Sequence, residues 1–264
     1  MDLDRYLERD SRIHAADARL KFLITIGFIL SLSLLPIGSF LAIAIAWVVL
    51  MAATVVARIG PSRVVRASFV ALPFVAAAIP LIFTKSGDPL GDINLGLFTL
   101  TASGEGLIQF ATIVFKSWVS VQAAVLLTFS TRFPDLVEAL RALRVPAIIV
   151  AVISFMYRYL AVLTDEATRM MRARAARSAS PDGSGGGSLL WRARVVGSMV
   201  GSLFIRAYER SERVYAAMQS RGFDGTMRTL RRRQFGGAQW LALGLAAVTL
   251  GVFEVTGHLW LPRA

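Results

Sequence analysis

The sequence predicts an all-α integral membrane protein. About five transmembrane helices are joined to a cytoplasmic module of one short and two long amphipathic helices. Three observations carry this. Of the 264 residues, 55% are hydrophobic and the mean hydropathy is +0.60. Several apolar runs approach the roughly 20 residues that span a bilayer as helix. Between residues 131 and 233 the pattern changes to apolar stripes interleaved with arginine, the signature of amphipathic helices.

The polar, charged start (Asp2, Asp4, Arg5, Glu8, Arg9, Asp10) is too long and too acidic for a secretory leader. The first apolar run, 22–35, is followed by Pro36-Ile37-Gly38, a turn, and then by a second run, 39–57. Arg58, Arg63 and Arg66 follow with no acid among them, which places that connection in the cytoplasm. A third span, 67–83, contains Pro73 and Pro80 and is expected to kink. The next loop carries Lys85, Asp88, Asp92 and Glu105 and reads as external. The fourth span, 106–129, holds Lys116 near its middle, where a lysine faces other helices or snorkels and is a functional lead. Residues 1–130 thus form an N-terminal membrane domain of four spans.

Within 131–233, residues 134–144 read as a short amphipathic helix ended by Val145-Pro146. Proline suits a first helical turn, so a second helix starts there and runs to about Arg177. Its first half, 147–163, is apolar all round. Tyr157-Arg158-Tyr159 interrupts it before 20 residues, so a shallow or protein-buried position is expected, with an additional span as the alternative. Pro181-Asp182-Gly183 and the Gly/Ser run to residue 188 end that helix in a linker, 181–188. A third helix, about 189–220, carries a stripe that includes Val196, Met199, Val200, Leu203, Phe204, Ala207, Val214, Tyr215 and Met218, and Gly222 is a natural stop. Arginines at 228 and 231–233 then precede a final span within 234–264, and parity puts the N-terminus in the cytoplasm.

The net charge is +12, yet only three of the 29 basic residues are lysine (Lys21, Lys85, Lys116). The charge collects between spans, which favours the positive-inside reading over nucleic-acid binding. No Gly-x-x-x-x-Gly-Lys-[Ser/Thr] run is present, so ATP hydrolysis by this chain is not expected. There is no cysteine, and His14 and His258 lie at opposite ends of the chain. No metal site, cofactor or catalytic constellation is therefore expected.

Several segments resemble a known family. Asp17-Ala18-Arg19-Leu20-Lys21 is similar to its Asp-Pro-Arg-x-Lys, with alanine for proline. Thr131-Arg132-Phe133-Pro134-Asp135-Leu136, Arg144-Val145-Pro146, Tyr157-Arg158-Tyr159-Leu160 and Asp165-Glu166-Ala167 continue the match. The strongest segment runs from Glu209 to Gly225. Over essentially its whole length the chain resembles the transmembrane T component of energy-coupling factor (ECF) transporters, in the cobalt-type CbiQ branch.

That resemblance implies a cytoplasmic coupling module whose two long helices end in Ala-Arg-Gly-like motifs. Here these correspond to Ala176-Arg177-Ser178 and Ser220-Arg221-Gly222. Arg174, in the similar Ala173-Arg174-Ala175, is the alternative first arginine; Arg177 is favoured as nearer the helix stop. The implied partners are two ABC-type ATPase subunits holding ATP and Mg2+, and a membrane-embedded S component holding Co2+. A small accessory membrane subunit is also implied, all in a bacterial inner membrane, with Ni2+ as the alternative cargo. Val200, Leu203, Phe204 and Val214 are expected to pack the two helices together or to grip the S component. Other classes are a stand-alone permease, or a membrane anchor whose basic module holds nucleic acid or lipid.

Overall fold

A computed structural model describes residues 6–84, 89–94, 99–177, 188–225 and 236–259. Among the described residues the protein is all-α apart from one short antiparallel strand pair. A brief helix, α1 (Arg12–Ala15), is followed by α2 (Ala18–Leu34) and α3 (Phe40–Val56). A broken stretch comes next: α4 (Pro61–Ala67), a 3-10 turn (Ser68–Ala71), α5 (Leu72–Ala78) and α6 (Leu81–Thr84). Strands β1 (Pro89–Asn94) and β2 (Thr99–Ser103) lead into α7 (Gly104–Ser130). Then come α8 (Phe133–Ala142), α9 (Ala147–Ala176), α10 (Leu189–Gln219) and α11 (Gly237–Leu259). The described parts of residues 4–139 and 232–264 form one compact unit, and those of 140–231 form another. The division falls inside α8, between Ala139 and Leu140.

In the first unit α7 is the central helix, touching α2, α3, α4, α5 and α6. The buried core draws Leu32 and Leu35 from the end of α2, Ile43, Ala46 and Leu50 from α3, and Val119, Ala123 and Leu126 from α7. Small residues such as Ala46 and Ala123 let apolar helices approach closely, which is how packing is gained where lipid removes the hydrophobic drive. Outward-facing Leu41, Val48, Val49, Val55 and Val56 are more than half exposed, as lipid contacts should be. Polar side chains tie the helices together. Trp47 Nε1 donates to Gln122 Oε1 (3.2 Å) across α3 and α7, and Trp118 Nε1 donates to Ser68 Oγ (2.9 Å). The Gly38 N–H of the α2–α3 turn donates to Thr112 Oγ1 (3.1 Å), and Gly38 itself sits at φ 85°, where glycine is unstrained.

Lys116 has a structural explanation. Its ammonium donates to the carbonyls of Leu35 and Ser33 (the latter at 3.4 Å), at the C-terminal end of α2. Helix ends leave such carbonyls unpaired, and inside a membrane they need an internal partner. Lys116→Met should therefore lower unfolding stability by about 1–3 kcal/mol, the cost of orphaning a buried acceptor. Thermal unfolding in detergent measures this, and wild-type stability would return Lys116 to functional candidacy.

The expected third span is broken, as its prolines required: segments 61–71 and 75–83 meet at a 51° bend. Pro73 lies in the first turn of α5, and Pro80 lies between α5 and α6. The expected external loop contains the antiparallel β1–β2 pair, with Asn94 opposite Thr99 and an irregularity between Pro89 and Gly91. Lys85 and Asp88 lie outside the described residues.

By length and composition, two described helices can cross a membrane, α7 and α9, or three if the bent pair is one span rather than a re-entrant loop. The apolar α3 has 17 residues, at the short edge of what spans. The first half of α9 was expected to be shallow or buried in protein, with an additional span as the alternative; by length and composition it can cross a membrane, and only Val150 and Ala151 of α9 are buried. Ile148, Val152 and Met156 are about 60% exposed. The helix runs unbroken through Tyr157-Arg158-Tyr159, because an arginine does not stop a helix and can reach an interface with its long stem.

Candidate interface at the α9–α10 helix ends

In the second unit, α9 and α10 run antiparallel. Each is roughly 45 Å long at 1.5 Å per residue. The chain makes α9 by restarting after a left-handed residue: Arg144 at φ 63° ends α8, Val145 follows, and Pro146 is the N-cap. Ser188 starts α10 by accepting a hydrogen bond from the Trp191 N–H (3.3 Å), a standard serine cap.

One carboxylate joins the two helices midway. Glu166 accepts from Arg169 on its own helix (2.6 Å) and from Arg206 on α10 (2.9 Å). On one side of this junction lies an arginine-rich groove of about 670 Å³ that includes Arg169, Arg174, Arg177, Trp191 and Arg206. On the other lies an almost wholly apolar groove of about 450 Å³, lined among others by Phe155, Tyr159, Val214, Met218 and Phe223. Phe223 meets Phe155 edge-on at 6.5 Å, which holds the end of α10 beside the first half of α9.

Both sequence motifs fall at helix C-termini. Ala176 is the last residue of α9 and Arg177 its C-cap, with the Arg177 N–H donating to Arg174 O (3.1 Å). Ser178 lies outside the described residues. Ser220 caps α10, and the Arg221 N–H donates to Met218 O (3.1 Å). Gly222 then takes φ 77°, and the Phe223 N–H returns to Met218 O (3.1 Å), the glycine-terminated ending that residues with a Cβ enter at a cost. Arg221 and Gly222 are exposed. Neither Arg177 nor Arg221 forms an ion pair among the described residues.

The antiparallel arrangement separates the two motifs. Arg221 lies two residues before Phe223, beside Phe155, whereas Arg177 is 22 residues further along α9. The motifs are thus roughly 30 Å apart along the pair. Arg174 and Arg177 line the same groove, one in the last turn and one at the cap.

The four apolar candidates divide. Val214 lines the groove between the helices and Leu203 is half-buried. Val200 and Phe204 are 59% and 69% exposed. The linking role of Glu166 was not assigned from sequence. Its signal was the position of two adjacent acids, Asp165 and Glu166, among Arg158, Arg169, Arg172 and Arg174 on the polar side. Among the described residues no cluster of His, Cys, Asp or Glu could hold a metal.

Residues 9–231 match the family model described as CbiQ, cobalt transport protein. An energy-coupling factor transporter transmembrane protein EcfT of Thermanaerovibrio acidaminovorans is 28% identical over 99% of this chain and 96% of its own length. A cobalt transport protein CbiQ of Rhodobacter capsulatus is 27% identical over 69% of this chain and 72% of its own. An uncharacterised protein of Methanocaldococcus jannaschii is 29% identical over 63% of this chain. The chain spans 56% of that relative's length.

Proposed function

The chain belongs to the CbiQ family of cobalt transport proteins, and we propose that it is the coupling subunit of an ECF-type importer for cobalt ions. It is a multi-pass membrane protein, similar to transporter components rather than to enzymes. In this reading two ABC-type ATPase subunits bind the ends of α9 and α10 from the cytoplasm. Their ATP- and Mg2+-driven closure moves the helices, and the helices move a membrane-embedded S component that carries Co2+, with a small accessory subunit alongside. The membrane is the bacterial inner membrane, with the N-terminus inside.

One observation supports this most. Two arginines stand at helix C-termini roughly 30 Å apart, without an ion-pair partner among the described residues. Each offers up to five donors, in a geometry that suits carboxylates or carbonyls of a docking groove. The separation suits two partner subunits better than one. Exposed Val200 and Phe204 offer an apolar surface for the S component.

Co-expression with the two ATPases and the S component tests the reading. The expected result is a complex that co-purifies and, in proteoliposomes, takes up 57Co2+ only with ATP. Uptake by this chain alone, or failure of the ATPases to co-purify, would count against it. Preference for 63Ni2+ would change the cargo and leave the coupling role intact.

A further inference from the structure

Four contacts from the N-terminal segment converge on residues 129–132, where the chain leaves α7 for α8. The Leu7 N–H donates to Phe129 O (3.0 Å). The Lys21 ammonium donates to Ser130 O (2.8 Å). Arg132 pairs with Glu8 (2.9 Å) and lies over the Tyr6 ring, 4.9 Å from its centroid. Ser130 and Thr131 are buried, and Thr131 is extended (φ −140°, ψ 128°), so the helix ends there at a defined angle.

The strap is itself held in shape. Asp17 Oδ1 accepts from the Arg19 N–H (2.9 Å), capping α2 one turn before Lys21. Ser11 Oγ and His14 Nδ1 are 2.7 Å apart, and the Tyr6 and His14 rings meet edge-on at 5.8 Å. Burial, followed by the nearby Lys21 charge, holds the His14 imidazole below its ordinary pKa.

These contacts differ in weight. The Arg132–Glu8 pair is exposed on both sides and contributes little alone. Lys21 makes a charge-assisted bond to a carbonyl that α7, ending at Ser130, leaves without a helical partner.

We infer that residues 6–21 form a strap, with Lys21 as its main positioning residue, that fixes the direction in which α7 passes into α8. This rests on the coupling role proposed above. A strap of this kind is needed because Thr131 is non-helical, and an unbraced non-helical link would rotate about its φ and ψ under load.

The test uses the full complex in proteoliposomes, comparing 57Co2+ uptake per ATP hydrolysed. Lys21→Met should lower that ratio about tenfold and the weaker Arg132→Gln about threefold, with co-purification and ATP hydrolysis retained. Lys21→Arg, which keeps the donor, should restore most of it. An unchanged ratio in both loss variants would overturn the strap, as would a fall in Lys21→Arg equal to that in Lys21→Met.

A second measurement does not depend on cargo or on folding of the methionine variant. The chain has no cysteine, so spin labels at Ser62→Cys in α4 and Glu138→Cys in α8 report the direction of α8 against the membrane unit as a distance distribution. Arg132→Gln should broaden that distribution; an identical distribution would overturn the strap. If the wild-type complex fails to form or to transport, the coupling role has failed, and the distance measurement alone judges the strap.

Discussion

Replacing Arg177 and Arg221 together by alanine is expected to weaken association with the ATPases by about a thousandfold. A desolvated interface arginine contributes about 2 kcal/mol or more, which is roughly a thirtyfold change for each site. The two sites stand at opposite ends of the α9–α10 pair and share no partner among the described residues, so the effects should add. Each single variant should lose about thirtyfold, measured as ATPase binding to the complex in detergent. Membrane insertion should be unaffected, because neither arginine holds an ion pair in its own chain among the described residues. Arg174→Ala separates the alternatives for the first motif. If Arg177 is the docking group, Arg174→Ala costs little; the reverse order would move the motif by one turn. Normal assembly and uptake by the double variant would sink the coupling proposal.

Gly106→Ala is expected to destabilise the fold itself through a clash with backbone. A Cβ at Gly106 would lie 2.7 Å from Ile82 O and 2.9 Å from Leu81 O. Both are backbone atoms at the start of α6, so neither can swing aside as a side chain would. The same residue's N–H donates to Ser103 Oγ (3.1 Å), which caps α7. Alanine normally favours a helix over glycine by up to about 1 kcal/mol. Here the overlap should reverse the sign, to a net loss of about 2 kcal/mol, because α6 and α7 must separate. Gly244→Ala in α11 is the control, since nothing lies within 4 Å of the added carbon. Thermal unfolding in detergent compares the two. Equal stability of Gly106→Ala and wild type would show that the close approach carries no load.

Different parts of the molecule were legible to different degrees. The limits of α9 and α10 could be read within a residue or two, because Pro146, Ser188 and Gly222 punctuate locally and act through their own backbones. The kinks of the third span were legible for the same reason, though not the 51° angle. The β1–β2 pair was read as loop. Its strands are short, contain Pro89 and Gly91, and have no strong alternation to announce them.

The functional candidates followed the same division. Arg177 and Arg221 could be named from the sequence because a basic residue at a helix stop is a local pattern. Their placement at opposite ends of one pair was not legible, since it depends on α9 and α10 packing antiparallel through Glu166 and Phe155. Lys116 looked like a functional lead until α2 brought the Leu35 carbonyl to it. Lys21 was recognisable only as part of a motif; its partner, Ser130, lies 109 residues away.

The sequence by itself determined the class, the helix stops and the absence of an ATP-binding loop, and it offered Arg177 and Arg221 as candidates. These are set by composition and by interactions within a few residues. Only the tertiary structure decided which groups are partnered, which way the motif ends point, and what holds the exit of α7. Those outcomes depend on pairings between residues distant in the chain, and no local pattern specifies them.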